Sequence, residues 1–175
     1  MFDLNETSKI TELRNMFKIR SFEDADYDEV RALFERNLIE FSENCETAMR
    51  SYVQSSLSDD LIDIRKHYFD SSTNHFWVAE IDGIVKGMVG IQSTGDGTAE
   101  LRRMSVDREE RRLGIGSKLL SVAEAFCNEL GHKSIRLTTV TLLVPAISLY
   151  ENCGFTLQET ESYGDITGLH YMKTL

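Results

Sequence analysis

The sequence predicts an α/β fold of the α+β kind, in which one mixed sheet carries helices packed on it. Three observations lead there. Segments with strand alternation and segments with helical periodicity interleave along the chain instead of separating into halves. Two Asp-Gly pairs, Asp82-Gly83 and Asp96-Gly97, punctuate three consecutive apolar segments as tight hairpin turns do. The 175 residues, 41% apolar and 27% charged, suffice for one domain with a sizeable core, and no repeat or linker divides them.

Residues 1–16 show weak periodicity and read as a lead-in to a single domain over 17–175. Phe17-Lys18-Ile19-Arg20 alternates apolar and polar, as a half-buried strand does. Asp24 and Asp26 are helix-start carboxylates, followed by Tyr27, Val30, Leu33, Phe34, Leu38 and Phe41 at amphipathic spacing. Cys45 to Phe69 reads as two further helical pieces broken near Ser58-Asp59. Phe76 to Ile81 and Ile84 to Ile91 make a hairpin, and Asp96-Gly97 turns into a third strand, Glu100 to Val106. Gly114 to Leu130 is a helix with Ile115, Leu119, Ala123, Phe126 and Leu130 on one stripe, closed by Gly131. Ile135 to Thr139 is a strand, and Pro145 opens a short helix through Asn152. Gly154-Phe155 then lead to a final strand pair, roughly 156–162 and 169–173.

Charge and cysteine usage exclude several classes. A net charge of −10 argues against nucleic acid or anionic membrane as a partner gripped by the whole surface. The longest uncharged stretch, Leu137 to Tyr150, is 14 residues and too polar to span a bilayer. The N-terminus lacks the apolar core of an export signal. Cys45, Cys127 and Cys153 are odd in number and far apart, so a reduced, cytoplasmic setting is expected. His67, His75, His132 and His170 form no metal spacing, and no metal is expected.

The chemistry gathers at Arg111-Arg112-Leu113-Gly114-Ile115-Gly116-Ser117, between a strand and a helix. Glycines there let backbone approach a ligand, and unpaired amides at a helix start cradle phosphate. A dinucleotide fingerprint fails at Leu119, where a third small residue is needed, and the order Gly116-Ser117-Lys118 is not that of a Walker loop. Six basic residues and three acidic ones between Arg102 and Lys118 make that window +3 in an acidic chain. The window suits a polyphosphate dock, and a solvated loop of ion pairs is the plainer alternative.

Arg-x-x-Gly-x-Gly after a strand ending in hydrophobic-x-Val resembles the acetyl-CoA motif of the GNAT superfamily of amine N-acetyltransferases. Here it is Met104-Ser105-Val106 followed by Arg111 through Gly116. A second hallmark, Ala-x-x-Leu-Tyr-Glu-x-x-Gly-Phe, is matched by Ala146, Leu149, Tyr150, Glu151, Gly154 and Phe155. The similarity covers about residues 17–160. Around Phe76–Glu80, Arg103–Val106 and Pro145–Phe155 it resembles the camello-type subgroup, whose members carry a membrane segment before the hairpin. The matching stretch here, residues 55–72, is polar, so no membrane attachment is expected. Many relatives also place an asparagine seven residues before the motif tyrosine; here it is Leu143, which has no amide to make that contact.

The resemblance implies a mostly antiparallel sheet with helices on both faces and a bulged fourth strand splayed from the fifth. It implies acetyl-CoA as co-substrate and direct transfer to a primary amine. Backbone near Met104 would polarise the acetyl carbonyl, and the Ser105–Val106 edge would pair with the pantetheine arm. The amides of Arg112, Leu113, Gly114, Ile115, Gly116 and Ser117 would hold the pyrophosphate, with Arg111 opening the same cofactor-binding turn. Tyr150 is the implied general acid for the thiolate, or else a packing aromatic beside the sulfur. Glu100, 11 residues before Arg111, is in the register of a base glutamate, or else pairs with Arg102 as a strand-end carboxylate. Glu80 is the weaker alternative base. The first 80 residues hold 17 acids and 9 bases, which favours a cationic small-molecule or peptide acceptor. A non-catalytic acyl-CoA-binding module and a protein-lysine acetyltransferase are the competing functions, and a homodimer stays open.

Overall fold

The computed structural model describes residues 17–41, 46–163 and 166–175; the expected lead-in and Cys45 lie outside them. Strand β1 (Phe17–Ser21) leads through a 3-10 turn (Asp24–Asp26) into helices α1 (Tyr27–Ile39), α2 (Glu46–Ser58) and α3 (Ile64–Phe69). A meander of β2 (His75–Ile81), β3 (Ile84–Ser93) and β4 (Thr98–Val106) follows. Then come α4 (Ile115–Glu129), β5 (Ser134–Val140), α5 (Val144–Asn152), β6 (Thr156–Tyr163) and β7 (Ile166–Thr174). The seven strands form one sheet in the order β1-β2-β3-β4-β5-β7-β6. Every neighbouring pair is antiparallel except β4–β5.

Strand alternation divides the core between two faces. From β2, Trp77 and Ala79 pack with α4 residues Ile115, Leu119, Leu120 and Ala123. Phe76 and Val78 point the other way, onto Val30, Leu33 and Phe34 of α1 and Tyr68 of α3. Helices therefore cover both faces, as the resemblance implied. The Asp82-Gly83 turn has positive φ at both central residues, 50° and 80°, which the right-handed twist of a two-residue hairpin demands. Where a break near Ser58-Asp59 was expected, α2 ends and Asp63 caps α3 by accepting the Lys66 N–H at 3.0 Å. Among the described residues, no helix is long and apolar enough to cross a membrane.

Two irregularities in β4 open one side of the sheet. Met88 pairs with Ser105 and Gly90 with Arg102, so Arg103 and Met104 together face one residue of β3. That is a β-bulge, and Arg103 takes the left-handed φ of 56° within it. Beyond the bulge β4 also loses its other neighbour. The parallel pairing with β5 runs from Thr98↔Ser134 to Glu100↔Arg136 and stops, so the strands diverge and leave Met104–Val106 at an open edge.

Candidate active site

The open edge is one wall of a cavity of about 350 Å³. Its lining brings together Met104, Ser105 and Val106 from β4, Arg111, Arg112, Gly114, Ile115, Gly116 and Ser117 from the turn and α4, and Leu143, Ala146 and Leu149 around α5. Of the expected ligand-binding positions, Leu113 alone is not in that lining.

The turn is built to offer amides. Arg112 has φ 66° and Gly114 φ 90°, and a Cβ added at Gly114 would meet nothing within 4 Å, so its left-handed backbone is what requires glycine there. Gly114 is the N-cap and provides no side-chain cap. The first α4 bond is Lys118 N–H to Gly114 O at 3.0 Å, so the amides of Ile115, Gly116 and Ser117 have no acceptor within the helix. A Cβ at Gly116 would lie 2.9 Å from Leu149 Cδ2; the missing side chain lets α5 close one side of the cavity. Ile115 buries its side chain in the core, so only its backbone faces the ligand space.

The basic window proves to be partly an ion-pair network. Arg102 lies 3.5 Å from Asp59, and Arg103 is paired with Asp60. Arg108 and Arg111 both reach Glu40 after α1, at 3.4 and 3.1 Å. Arg111 also donates to Val106 O at 3.3 Å and stacks over Phe41, so it braces the turn. Among the described residues Arg112 and Lys118 have no ion pair, and both are exposed beside the free amides. The arrangement suits an anion at the α4 N-terminus.

Along β4 the geometry suits an extended ligand. Asp107 N–H bonds Lys86 O at 2.8 Å, and by antiparallel alternation the preceding residue turns its N–H and C=O away from β3. Val106 thus presents strand groups to the gap. Its carbonyl is also held by Asn37 Nδ2 at 3.0 Å. Asn37 is buried, lines the cavity and was not anticipated, although a polar residue interrupting the Leu33–Phe41 apolar stripe was a visible signal.

Tyr150 is 5% exposed and packs near Phe155 and Tyr171, at ring-centroid distances of 5.9 and 6.5 Å. Burial, and secondarily the Tyr52 hydroxyl, push its phenol well above the ordinary value. It is not part of the cavity lining, whereas Leu149 beside it is. Glu100 sits where β4 and β5 part, outside the lining, with Arg136 Nη2 at 3.1 Å and Arg102 Nε at 3.7 Å. Glu80, the weaker candidate base, is bound by Arg20 at 2.7 Å on the β1 side of the sheet. Leu143 lines the cavity as an apolar wall. Cys127 is buried, and desolvation, then Glu124, push its thiol up to about 12, which keeps it unreactive. Among the described residues no cluster could hold a metal ion.

Residues 40–155 match the family model described as "Acetyltransferase (GNAT) family". The chain is 41% identical over 107 residues to Probable N-acetyltransferase camello of Xenopus tropicalis, covering 60% of this chain and 49% of that protein. It is 38% identical over 115 residues to the N-acetylaspartate synthetase of Danio rerio, covering 65% and 41% respectively. The matches thus span about half or less of these curated relatives. The PaiA N-acetyltransferase of Thermoplasma acidophilum, solved in complex with coenzyme A, superposes with a TM-score of 0.77. That superposition covers 91% of this chain and 99% of the other at 19% identity, a likeness of fold.

Proposed function

The chain belongs to the GNAT acetyltransferase family, and we propose that it moves an acetyl group from acetyl-CoA directly to a primary amine. One observation carries the proposal: the splayed β4 edge and the capless N-terminus of α4 open into the same cavity. The residues present fit acetyl-CoA as co-substrate. The amides of Ile115–Ser117, with Arg112 and Lys118 alongside, offer a seat for the pyrophosphate. The outward N–H of Val106 can donate to an amide-bearing arm, while its C=O is held by Asn37 and Arg111. When bound, acetyl-CoA supplies a thioester carbon activated for attack by an amine.

The chain's own contribution is positioning and proton handling. Backbone at the β4 bulge, next to Met104, is assigned the polarisation of the acetyl carbonyl; the bulge supports this. Tyr150, kept protonated by burial, is assigned the proton that the departing thiolate needs. Glu100, at the point where the strands part, is assigned acceptance of the amine proton through water; its position supports this, and its pairs with Arg136 and Arg102 support an anchoring role instead. The acceptor is a cationic small molecule or peptide. The excess of acids over bases in the first 80 residues favours it electrostatically, and a relative named for N-acetylaspartate synthesis supports an amine on a small molecule without supporting its positive charge.

Thiol release from acetyl-CoA across a panel of polyamines, amino acids and lysyl peptides tests this. Release that depends on one class of amine supports the transferase. Tight coenzyme A binding with no release on any amine would favour a non-catalytic acyl-CoA-binding module, for which Leu143 is the supporting feature.

A further inference from the structure

Burying a charge is costly unless it is fully partnered, and two are buried behind the bulge. Arg103 is 8% exposed and Asp60 0%. Arg103 Nε lies 2.9 and 3.0 Å from the two Asp60 carboxylate oxygens, and Nη2 bonds the same carboxylate. Its Nη1 donates to Ser56 Oγ at 2.7 Å and Tyr52 Oη at 3.1 Å, both from α2. The guanidinium also lies 5.3 Å from the Phe34 ring of α1. Asp60 in turn accepts the Tyr68 hydroxyl from α3. One side chain of β4 therefore gathers all three early helices and the turn between α2 and α3.

The backbone of that residue is strained. A left-handed φ is unfavourable for a non-glycine residue, and glycine would relieve it if only the bend mattered. Replacing a buried ion pair by well-packed apolar side chains is commonly neutral or stabilising, so the pair is poorly explained as a source of stability alone. What an ion pair adds is direction. Arg102, the last paired residue before the bulge, and Arg103 within it both project toward Asp59 and Asp60.

We propose that the Asp60–Arg103 pair is a clamp that fixes the β4 bulge to the α2–α3 turn and thereby positions the Met104 backbone at the splay. This rests on the acetyl-transfer reading of the cavity. Both are positioning residues, acting through the backbone they hold. Movement of the early helices would pass through the clamp to the reacting carbonyl, which couples those helices to the acetyl site.

The test uses full-length Asp60→Asn, Arg103→Gly and the milder Arg103→Lys. Hydrogen exchange at residues 102–106 should quicken about tenfold or more in the first two, while β6–β7 amides change little. In the same variants kcat should fall about tenfold with the KM for acetyl-CoA within about threefold, and Arg103→Lys should recover part of kcat. Unchanged exchange on β4 would overturn the clamp. So would uniformly faster exchange together with native kcat in the folded fraction, the signature of a plain structural ion pair. A wild-type chain that shows no turnover on any amine would overturn the acetyl-transfer reading, and the exchange pattern would still decide the clamp. If Asp60→Asn and Arg103→Gly fail to fold, Arg103→Lys carries both readouts.

Discussion

In the proposed mechanism Tyr150 and Glu100 separate the two proton transfers that amide formation requires. Among the described residues the Tyr150 hydroxyl makes no hydrogen bond, its backbone carbonyl alone accepting from Cys153 and Phe155, so Tyr150→Phe should leave the melting temperature nearly unchanged. It should lower kcat by about 100-fold, in the range of a lost general acid, with acetyl-CoA affinity retained. Unaltered kcat at saturating substrates would remove it from the mechanism. Glu100→Gln should lower kcat/KM most near neutral pH, where an alkyl amine is protonated, and the deficit should shrink toward high pH. A deficit constant across the acceptor's titration range would leave Glu100 as an anchor for Arg136 and Arg102. The turn at Arg111–Gly114 and the start of α4 were legible, because short-range spacing encodes a turn and a helix start. Asn37 and Asp60 were not, because each meets its partner from 69 and 43 positions away. Long-range pairing leaves no mark in local periodicity.

At the level of elements, two glycines report on different demands. Gly116→Asp places a side chain against Leu149 and a carboxylate where the phosphates are proposed to sit. Calorimetry should show coenzyme A affinity reduced by more than about tenfold, about 1.4 kcal/mol; unchanged affinity would dissociate the turn from cofactor binding. Gly90 on β3 lies under Tyr68, whose ring carbon would be 2.6 Å from an added Cβ, with Phe76 at 3.1 Å. Tyr68 is fully buried and tied to Asp60, so it has little room to move. Gly90→Ala should cost about 1–3 kcal/mol in chemical denaturation. Element order and type followed the sequence pattern closely, since hairpin turns and the apolar stripe of α4 are local signals. Leu130, expected on that stripe, is however exposed at the helix end, and Asp26 does not cap α1 with its side chain. The terminal strands are longer than expected, with β7 beginning at Ile166, because pairing with β5 and β6 extends them beyond their own alternation. The splay of β4 from β5 followed from family resemblance alone; no run of residues in either strand announces where pairing stops.

Across the whole molecule, buried polar groups tie stability to pH. Burial alone would raise the Asp60 carboxyl, but Arg103 outweighs it, and the net direction is down. Asp26, against its own burial, is lowered by Arg20 and the Glu23 amide. Asp107, likewise desolvated, is lowered chiefly by the Glu109 amide and Lys86. Folded carboxylates below the usual value contribute stability that is present above about pH 4 and lost as pH falls through their folded values. His75 is lowered by burial, so its contribution is full above about pH 6.5 and declines as pH falls through its folded value. Thermal melts should therefore show stability easing below about pH 6.5 and dropping steeply below about pH 4. A melting temperature that rose on acidification from pH 7 would contradict this reading of the buried groups.

If one cavity both holds acetyl-CoA and delivers its acetyl group to an amine, the acetyl carbon can be traced from one to the other. Transfer of isotopically labelled acetyl from acetyl-CoA, followed by mass spectrometry of the amine product and thiol, reads this out without intermediaries. Label is expected on the amine nitrogen in a one-to-one ratio with released thiol, abolished by Gly116→Asp and strongly slowed by Tyr150→Phe. Thiol release without labelled amine, or labelled amine formed equally well by the Gly116→Asp chain, would refute the shared cavity.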